Sequence, residues 1–256
     1  MNPAMKAETP LIETIRLCCN FGHIRALADV DFAVNTGEVV ALLGDNGAGK
    51  STLIKLLTGI HQPTGGEIRF AGEQVQVPSP LEAHRLGIET VYQDLALIPL
   101  MSIARNFYLG REPVRHFGPF RFLDRRAMAT HSRAALAEIG IRIRDAGESV
   151  ESLSGGERQS IAIGRAVHFG SRLLILDEPT SALSIGETRK VLGYIVAARE
   201  RGLGVIFITH NVHHVFEVAD RLTFLSHGRK VGDYARGDID VEAASELIMR
   251  GDRTAT

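Results

Sequence analysis

Short apolar runs bounded by glycines alternate along the chain with segments whose apolar positions recur at helical spacing. This is the pattern of strands and helices layered on a sheet. Leu11–Leu17 and Asp31–Val34 read as strands, followed by a turn at Asn35-Thr36-Gly37. Val39–Leu43 is apolar at every position, as expected of a strand covered on both faces within a parallel sheet. A helix over Ser51–Leu57 follows, closed by Gly59. Glu67–Phe70 and Gln74–Val77, separated by Ala71-Gly72-Glu73, predict a hairpin on the sheet margin, and Ile88–Gln93 predicts another strand. From about Asp94 to His168 strand signals give way to helical ones, including Arg126–Ile139. Sheet-type sequence resumes at Leu173–Leu176. A helix over 187–201 carries Val191, Leu192, Ile195 and Val196 on one stripe and stops at Gly202. Val205–Ile208 is the next strand, and Asn211 is placed to cap a helix with apolar positions at Val212, Val215, Phe216 and Ala219. Leu222–Leu225, a turn at His227-Gly228 and a helix from Asp240 to Gly251 complete the pattern. The expected fold is α/β: a mixed, mainly parallel sheet with an antiparallel β margin, and an inserted α-helical subdomain.

Composition narrows the class. The chain has 256 residues, 45% of them hydrophobic, enough for one large domain with a full core. The expected division is a single domain over 1–256, with a core of about 1–93 and 169–256 and a helical subdomain of about 94–168. Lys and Arg number 29 against 30 Asp and Glu, so no cation excess supports binding to nucleic acid. No apolar run approaches the roughly 18 residues a membrane-spanning helix needs, and Met1–Thr9 has no apolar stretch of the kind a secretory signal carries. Cys18 and Cys19 are adjacent and do not have metal-ligand spacing.

Three segments carry chemistry. Gly44-Asp45-Asn46-Gly47-Ala48-Gly49-Lys50-Ser51 fits G-x-x-x-x-G-K-[ST] between a buried strand and an amphipathic helix, the setting of a phosphate-binding loop. Its glycines let successive N–H groups turn toward phosphate oxygens, Lys50 adds a full charge, and the Ser51 hydroxyl is a hard ligand for Mg²⁺. The core is therefore expected to be that of a P-loop NTPase. Leu173–Leu176 ends in Asp177 and Glu178, two acids at a strand end where α/β sheets bind ligands. Asp177 suits Mg²⁺, and Glu178 suits polarising an attacking water. Taken alone, such a pair also marks where a strand exits to solvent. Leu153-Ser154-Gly155-Gly156-Glu157 reads as a capping box holding two glycines, each costing about 1 kcal/mol in a helix relative to Ala. Their presence makes sense if N–H groups there approach another molecule closely, as a second anion site.

Together these segments resemble the ATP-binding subunits of ABC transporters across essentially the whole chain. Gly44–Thr52 matches the Walker A motif, Leu153–Gln159 (LSGGERQ) the family signature, Leu173–Pro179 Walker B, Gln93 the Q-loop and His210 the switch histidine. Phe21 looks like the aromatic residue that stacks on adenine. The resemblance implies ATP and Mg²⁺ as ligands. It also implies a head-to-tail pair, expected to be of identical copies, in which each ATP lies between one subunit's phosphate loop and the other's Ser154 segment. Gln93 would sense Mg²⁺ and the water and relay closure through the helical region; His210 would contact the γ-phosphate beside Glu178. Partners implied are integral membrane permease subunits and, indirectly, a periplasmic or extracellular sugar-binding protein. The implied location is the cytoplasmic face of the inner membrane.

Two departures stand out. Glu157 sits where Gln is commoner in the signature, and Ser184 stands where the family usually has Asp, a loss expected to loosen communication between the two ATP sites. The segments Val91–Pro99 and Thr209–Val212 look like the monosaccharide-import branch, closest to single-domain members linked to fructose or related simple sugars. An ABC-type ATPase acting as an assembly scaffold without a permease, as in iron–sulfur cluster biogenesis, is the alternative. A chromosome- or repair-type ATPase is set aside, because the interval from Gly49 to Ser154 holds no sustained heptads. Between Arg111 and Arg133 lie six Arg and two acids, expected as a basic helical face that is either simply solvated or close to anionic lipid.

Overall fold

A computed structural model describes residues 9–250. Its centre is a six-stranded sheet in the order β12-β11-β3-β10-β9-β6. Strands β3 (Val39–Leu43), β6 (Ile88–Val91), β9 (Leu173–Asp177), β10 (Gly204–Ile208) and β11 (Arg221–Ser226) run parallel, and β12 (Arg229–Ala235) adds an antiparallel edge. Strands β1 (Ile12–Phe21), β2 (Ile24–Val34), β4 (Gly65–Phe70) and β5 (Glu73–Val75) form a separate antiparallel sheet in the order β2-β1-β4-β5. The antiparallel margin expected on the main sheet is thus a layer of its own.

Alternation along the central strands explains why. Val40 and Leu42, Leu173 and Ile175, and Ile206 and Ile208 face the antiparallel sheet and helix α1 (Lys50–Leu57). Val39, Ala41 and Leu43, Leu174 and Leu176, and Val205 and Phe207 face the other way, against helices. Two-sided apolar strands need two covers, and the chain supplies one of each kind. On the helical side lie α5 (Gly155–His168), α6 (Ile185–Glu200), α7 (Val212–Val218) and α8 (Val241–Arg250), together with the short α3 (Ile103–Phe107) and α4 (Arg125–Glu138). Phe107, Met128, Leu136 and Ile161 belong to the same apolar cluster as Phe207 and Phe224, so the inserted helices share their core with the sheet. The expected end of the last helix at Gly251 lies outside the described residues.

Three elements depart from the sequence expectation. Helix α2 (Pro80–Leu86), capped by Ser79, and edge strand β12 were not anticipated. The basic stretch is not a helical face throughout. Its centre is a hairpin, β7 (Val114–Phe117) with β8 (Phe120–Leu123), joined at Gly118-Pro119 and leading into α4. Phe117, Phe120 and Phe122 on it are 80%, 64% and 57% exposed, so neither face of the ribbon lies against the core.

Candidate functional site

The loop between β3 and α1 is shaped by backbone that only glycine supports comfortably. Gly44 has φ +146°, and a Cβ there would lie 2.3 Å from the Leu225 carbonyl oxygen. Gly49 serves as the N-cap of α1 at φ 105°, with no side-chain cap and no acidic residue in the first turn. The other α-helices with described N-caps close theirs with Ser79, Ser102, Asp124, Ser154, Ser184 or Asn211. The first amides of α1 have no intrahelical acceptor, so this end presents its partial positive charge to whatever enters the cleft. Lys50 is buried, and its ammonium donates to the carbonyls of Gly44 (2.7 Å) and Asp45 (3.0 Å). Burial pushes the Lys50 pKa down, against the pull of Glu178, Asp45 and Asp177.

One cavity of about 520 Å³ gathers most of the expected residues. Asp45 to Thr52, Gln93, Asp177, Glu178 and His210 all line it. Parallel pairing of Asp177 with Ile208 brings the ends of β9 and β10 level, which sets Glu178 and His210 side by side. Glu178 sits at φ +50°, a conformation that costs an L-residue about 1 kcal/mol or more. It is held there by hydrogen bonds from its N–H to Ile208 O (2.9 Å) and from Ser181 N–H to its own carbonyl (3.1 Å). Its Oε1 is buried without a hydrogen-bond partner, although His210 Nε2 lies 3.2 Å away. Burial raises the carboxyl pKa; His210 and Lys50 pull it down, Asp177 adds to the rise. Burial also raises Asp177. Two carboxyls that are poorly hydrated, one with an unpartnered oxygen, beside an uncapped helix start and a lysine fit a polyanion with its divalent cation.

The Ser154 segment lies elsewhere. Ser154, Gly156 and Glu157 line a different cavity, of about 690 Å³, between α5, α6 and the loop after α4. The capping box is present: Ser154 N–H donates to Glu157 Oε2 (2.8 Å), and Glu157 N–H donates to Ser154 Oγ (3.2 Å). The two glycines differ. A Cβ on Gly155 would meet only Leu183 at 3.5 Å, whereas one on Gly156 would sit 2.5–2.8 Å from Glu187 side-chain atoms. Gly156 is thus a glycine for an internal contact, and Gly155 is the one facing open space.

Phe21 ends β1, is 45% exposed and packs edge-on against His61 with ring centroids 5.1 Å apart. It does not line the phosphate-loop cavity, whereas Ile24 and Arg25, across the same hairpin, do. Sequence reasoning also missed the brace behind the loop. Gly228 N–H donates to Ala48 O (3.0 Å) and Ala28 N–H to Gly228 O (2.8 Å), which clamps the loop to β2. A turn glycine in the sequence gives no sign of this, since it depends on the approach of two distant segments. Gly228 has φ +74°, and a Cβ would lie 2.5 Å from Ala26 O. Gly228→Ala is expected to raise the Kd for ATP about tenfold or more while leaving the far-ultraviolet circular dichroism unchanged, following the usual cost of about 1–3 kcal/mol for forced backbone strain. Equilibrium titration with a fluorescent ATP analogue checks this.

Comparison with known proteins agrees with this geometry. The family model described as ABC transporter matches residues 27–181. The fructose import ATP-binding protein FrcA of Rhizobium meliloti is 48% identical over 230 residues, 88% of either chain. The xylose/arabinose import ATP-binding protein XylG of Sulfolobus acidocaldarius is 46% identical over 90% of each. A ribose import ATP-binding protein of Rubrobacter xylanophilus is 44% identical, but the match covers 87% of this chain and 44% of that one. Among solved structures, the ADP conformation of an ATP-binding cassette of an ABC transporter shares the fold, with a TM-score of 0.79 at 21% identity over 94% of this chain and 95% of that one. With the motif residues gathered as described and relatives this similar over nearly their whole length, the chain belongs to the ABC transporter family, as one of its ATPases.

Proposed function

We propose that this chain is the ATP-hydrolysing subunit of a monosaccharide importer and that it works as a pair of identical copies. The observation that carries the pairing is the separation of the two anion-binding segments within one protomer. The phosphate loop and the Ser154 segment line different cavities, and in this reading a second copy brings its Ser154 segment over the first copy's nucleotide. The core of about 1–93 and 169–256 then holds ATP, and the insertion of about 94–168 presents the second segment. Dimeric cassettes of a bacterial ABC transporter share this fold, at a TM-score of 0.71. Import of a simple sugar is supported by relatives named for fructose, xylose/arabinose and ribose at 44–48% identity. The reading leaves the sugar itself to the permease and its binding protein, which no residue here touches. No observation favours the permease-free scaffold.

In this reading the Asp45–Thr52 loop and Lys50 bind the β- and γ-phosphates, and Phe21 stacks on the adenine. Ser51, Gln93 and Asp177 supply hard oxygens for Mg²⁺, which when bound neutralises charge on the phosphates. Glu178 accepts a proton from water as its oxygen attacks the γ-phosphorus, and the bond to the bridging oxygen breaks to leave ADP. His210 orients that water and contacts the γ-phosphate. Coupling starts at neighbouring residues that face two ways. Gln93 lines the nucleotide cavity, and Tyr92 lines a groove of about 370 Å³ with Leu81, Leu109, Arg111, Arg165 and Phe169. A permease segment in that groove would feel the nucleotide through this pair, on the cytoplasmic face of the inner membrane.

The hairpin of β7 and β8 adds a membrane contact to this reading. Its exposed phenylalanines stand among Arg115, Arg121, Arg125 and Arg126, a composition complementary to an anionic leaflet.

Three outcomes test these assignments. Glu178→Gln is expected to retain ATP binding, to slow turnover about 10² to 10⁴-fold and to accumulate an ATP-bound dimer in sedimentation, whereas Lys50→Ala weakens nucleotide binding itself. Hydrolysis at the parent rate in Glu178→Gln removes the assigned base. Protonated Glu178 cannot accept the water's proton, and burial raises its pKa. The rate at saturating ATP therefore falls with decreasing pH from above the ordinary carboxylate range of about 4; a profile that falls only within that range contradicts this. Finally, Arg125→Glu/Arg126→Glu should abolish salt-sensitive sedimentation with phosphatidylglycerol vesicles, where each basic residue contributes about 1 kcal/mol. Unchanged binding rules out this basic stretch as the lipid contact.

A further inference from the structure

The cradle that the pairing reading reserves for the partner's nucleotide already holds an anion, and that anion belongs to the same chain. Glu187, in the first turn of α6, reaches across to the start of α5. Its Oε1 accepts from Gly156 N–H at 3.1 Å, and its Oε2 accepts from Ser184 N–H at 3.1 Å and from the Ser184 hydroxyl at 2.8 Å. Hydrogen bonds from Ser184, then from the Ser154 hydroxyl and Gly156 N–H, hold its pKa down to about 2, so it is ionised at any working pH. Gly156 is buried beneath it, and any larger residue would push it away. The Ser154 hydroxyl and the second amide of α5 are the groups a helix start offers to phosphate. The amide is engaged by this carboxylate at 3.1 Å, while the Ser154 hydroxyl accepts from Glu157 N–H at 3.2 Å.

We propose that Glu187 is a positioning residue for nucleotide closure: it stands in for the partner-bound γ-phosphate in the open protomer and must release Gly156 as the two copies close. A carboxylate and a phosphate cannot share one amide without like-charge repulsion, so closure includes the displacement of Glu187. The released carboxylate keeps its Ser184 capping box, which lets it leave α5 without unravelling α6. Lys190, one turn further along α6 and lining the same cavity, offers a cation nearby. Glu187 thereby sets the ATP concentration at which the dimer forms. The inference rests on the sandwich reading given above.

The test compares ATP-driven dimerisation by analytical ultracentrifugation in the hydrolysis-deficient Glu178→Gln chain with and without Glu187→Gln. The amide keeps the size and hydrogen-bonding reach of the carboxylate but not its charge. The half-maximal ATP concentration is expected to fall about three- to tenfold, the worth of one charge at a helix terminus. Glu187→Asp, which keeps the charge, should stay with the parent. A merely structural role for Glu187 predicts the opposite sign, because damage to α5 or α6 can only make dimerisation harder. An unchanged or raised ATP requirement in Glu187→Gln overturns the proposal while the sandwich stands. Equal shifts in Glu187→Gln and Glu187→Asp overturn it too, since charge would then not be the cause. If Glu178→Gln stays monomeric at saturating ATP, the sandwich and the proposal fall together.

Discussion

Helix α1 begins with amide groups that no carbonyl of its own helix can accept, and Gly49 in the N-cap position has no side chain to satisfy them. The other α-helix starts with described caps are closed by Ser, Asp or Asn. A helix left open in this way loses about 1 kcal/mol of capping stability, and the fold holds it in place from outside. Leu53 and Leu57 anchor α1 against the central sheet, while the Gly228 amide clamps the preceding loop. The dipole of α1 is thereby left unneutralised within the chain. The rest of the cleft is arranged around that one deficit of negative charge.

The acids at the end of β9 have the complementary problem. Asp177 and Glu178 are both raised by burial, and Lys50 is lowered by it, so each charge in the cleft is underhydrated and partly dependent on the others. A polyanion with a divalent cation resolves both imbalances together: its phosphates meet the helix start and lysine, its cation meets the carboxyls. The left-handed backbone of Glu178 is the local cost of aiming a carboxylate at that meeting point.

What could be read from sequence follows the same division. Strands β3, β9 and β10 were legible because burial on both faces leaves an unbroken apolar run, and Asn211 because a cap is a local hydrogen bond. The phosphate loop, Asp177, Glu178, Gln93 and His210 were legible as motifs, and one cavity joins them. The strands of the antiparallel sheet were legible too, but not that they form a layer of their own, since sheet membership depends on pairing between distant segments, which the bulges of β1 make irregular. The hairpin of β7 and β8 had a turn signal at Gly118-Pro119, yet its four-residue strands bury nothing, and without a buried face there is no period to read. The glycine pair was half legible. Costly glycines at a helix start did signal close approach, but for Gly156 the approaching group is Glu187 of the same chain.

That contact changes the meaning of the departure at Ser184. Where the family usually has Asp, this chain has a hydroxyl that caps α6 and bonds to Glu187. An acid stands one helical turn onward, at Glu187, and from there its side chain reaches α5. Position 184 keeps the task of starting the helix, which Ser performs as well as Asp. A carboxylate at position 184 could cap α6, but the one at 187 also bridges two helices whose starts belong to different parts of the nucleotide-handling apparatus. α5 begins at the Ser154 segment, which the proposed pairing turns toward a second copy, and α6 follows the Asp177-Glu178 strand end. An anion placed between them ties the state of one to the position of the other. Under the role proposed for Glu187, the starts of α5 and α6 stay linked with Ser at position 184.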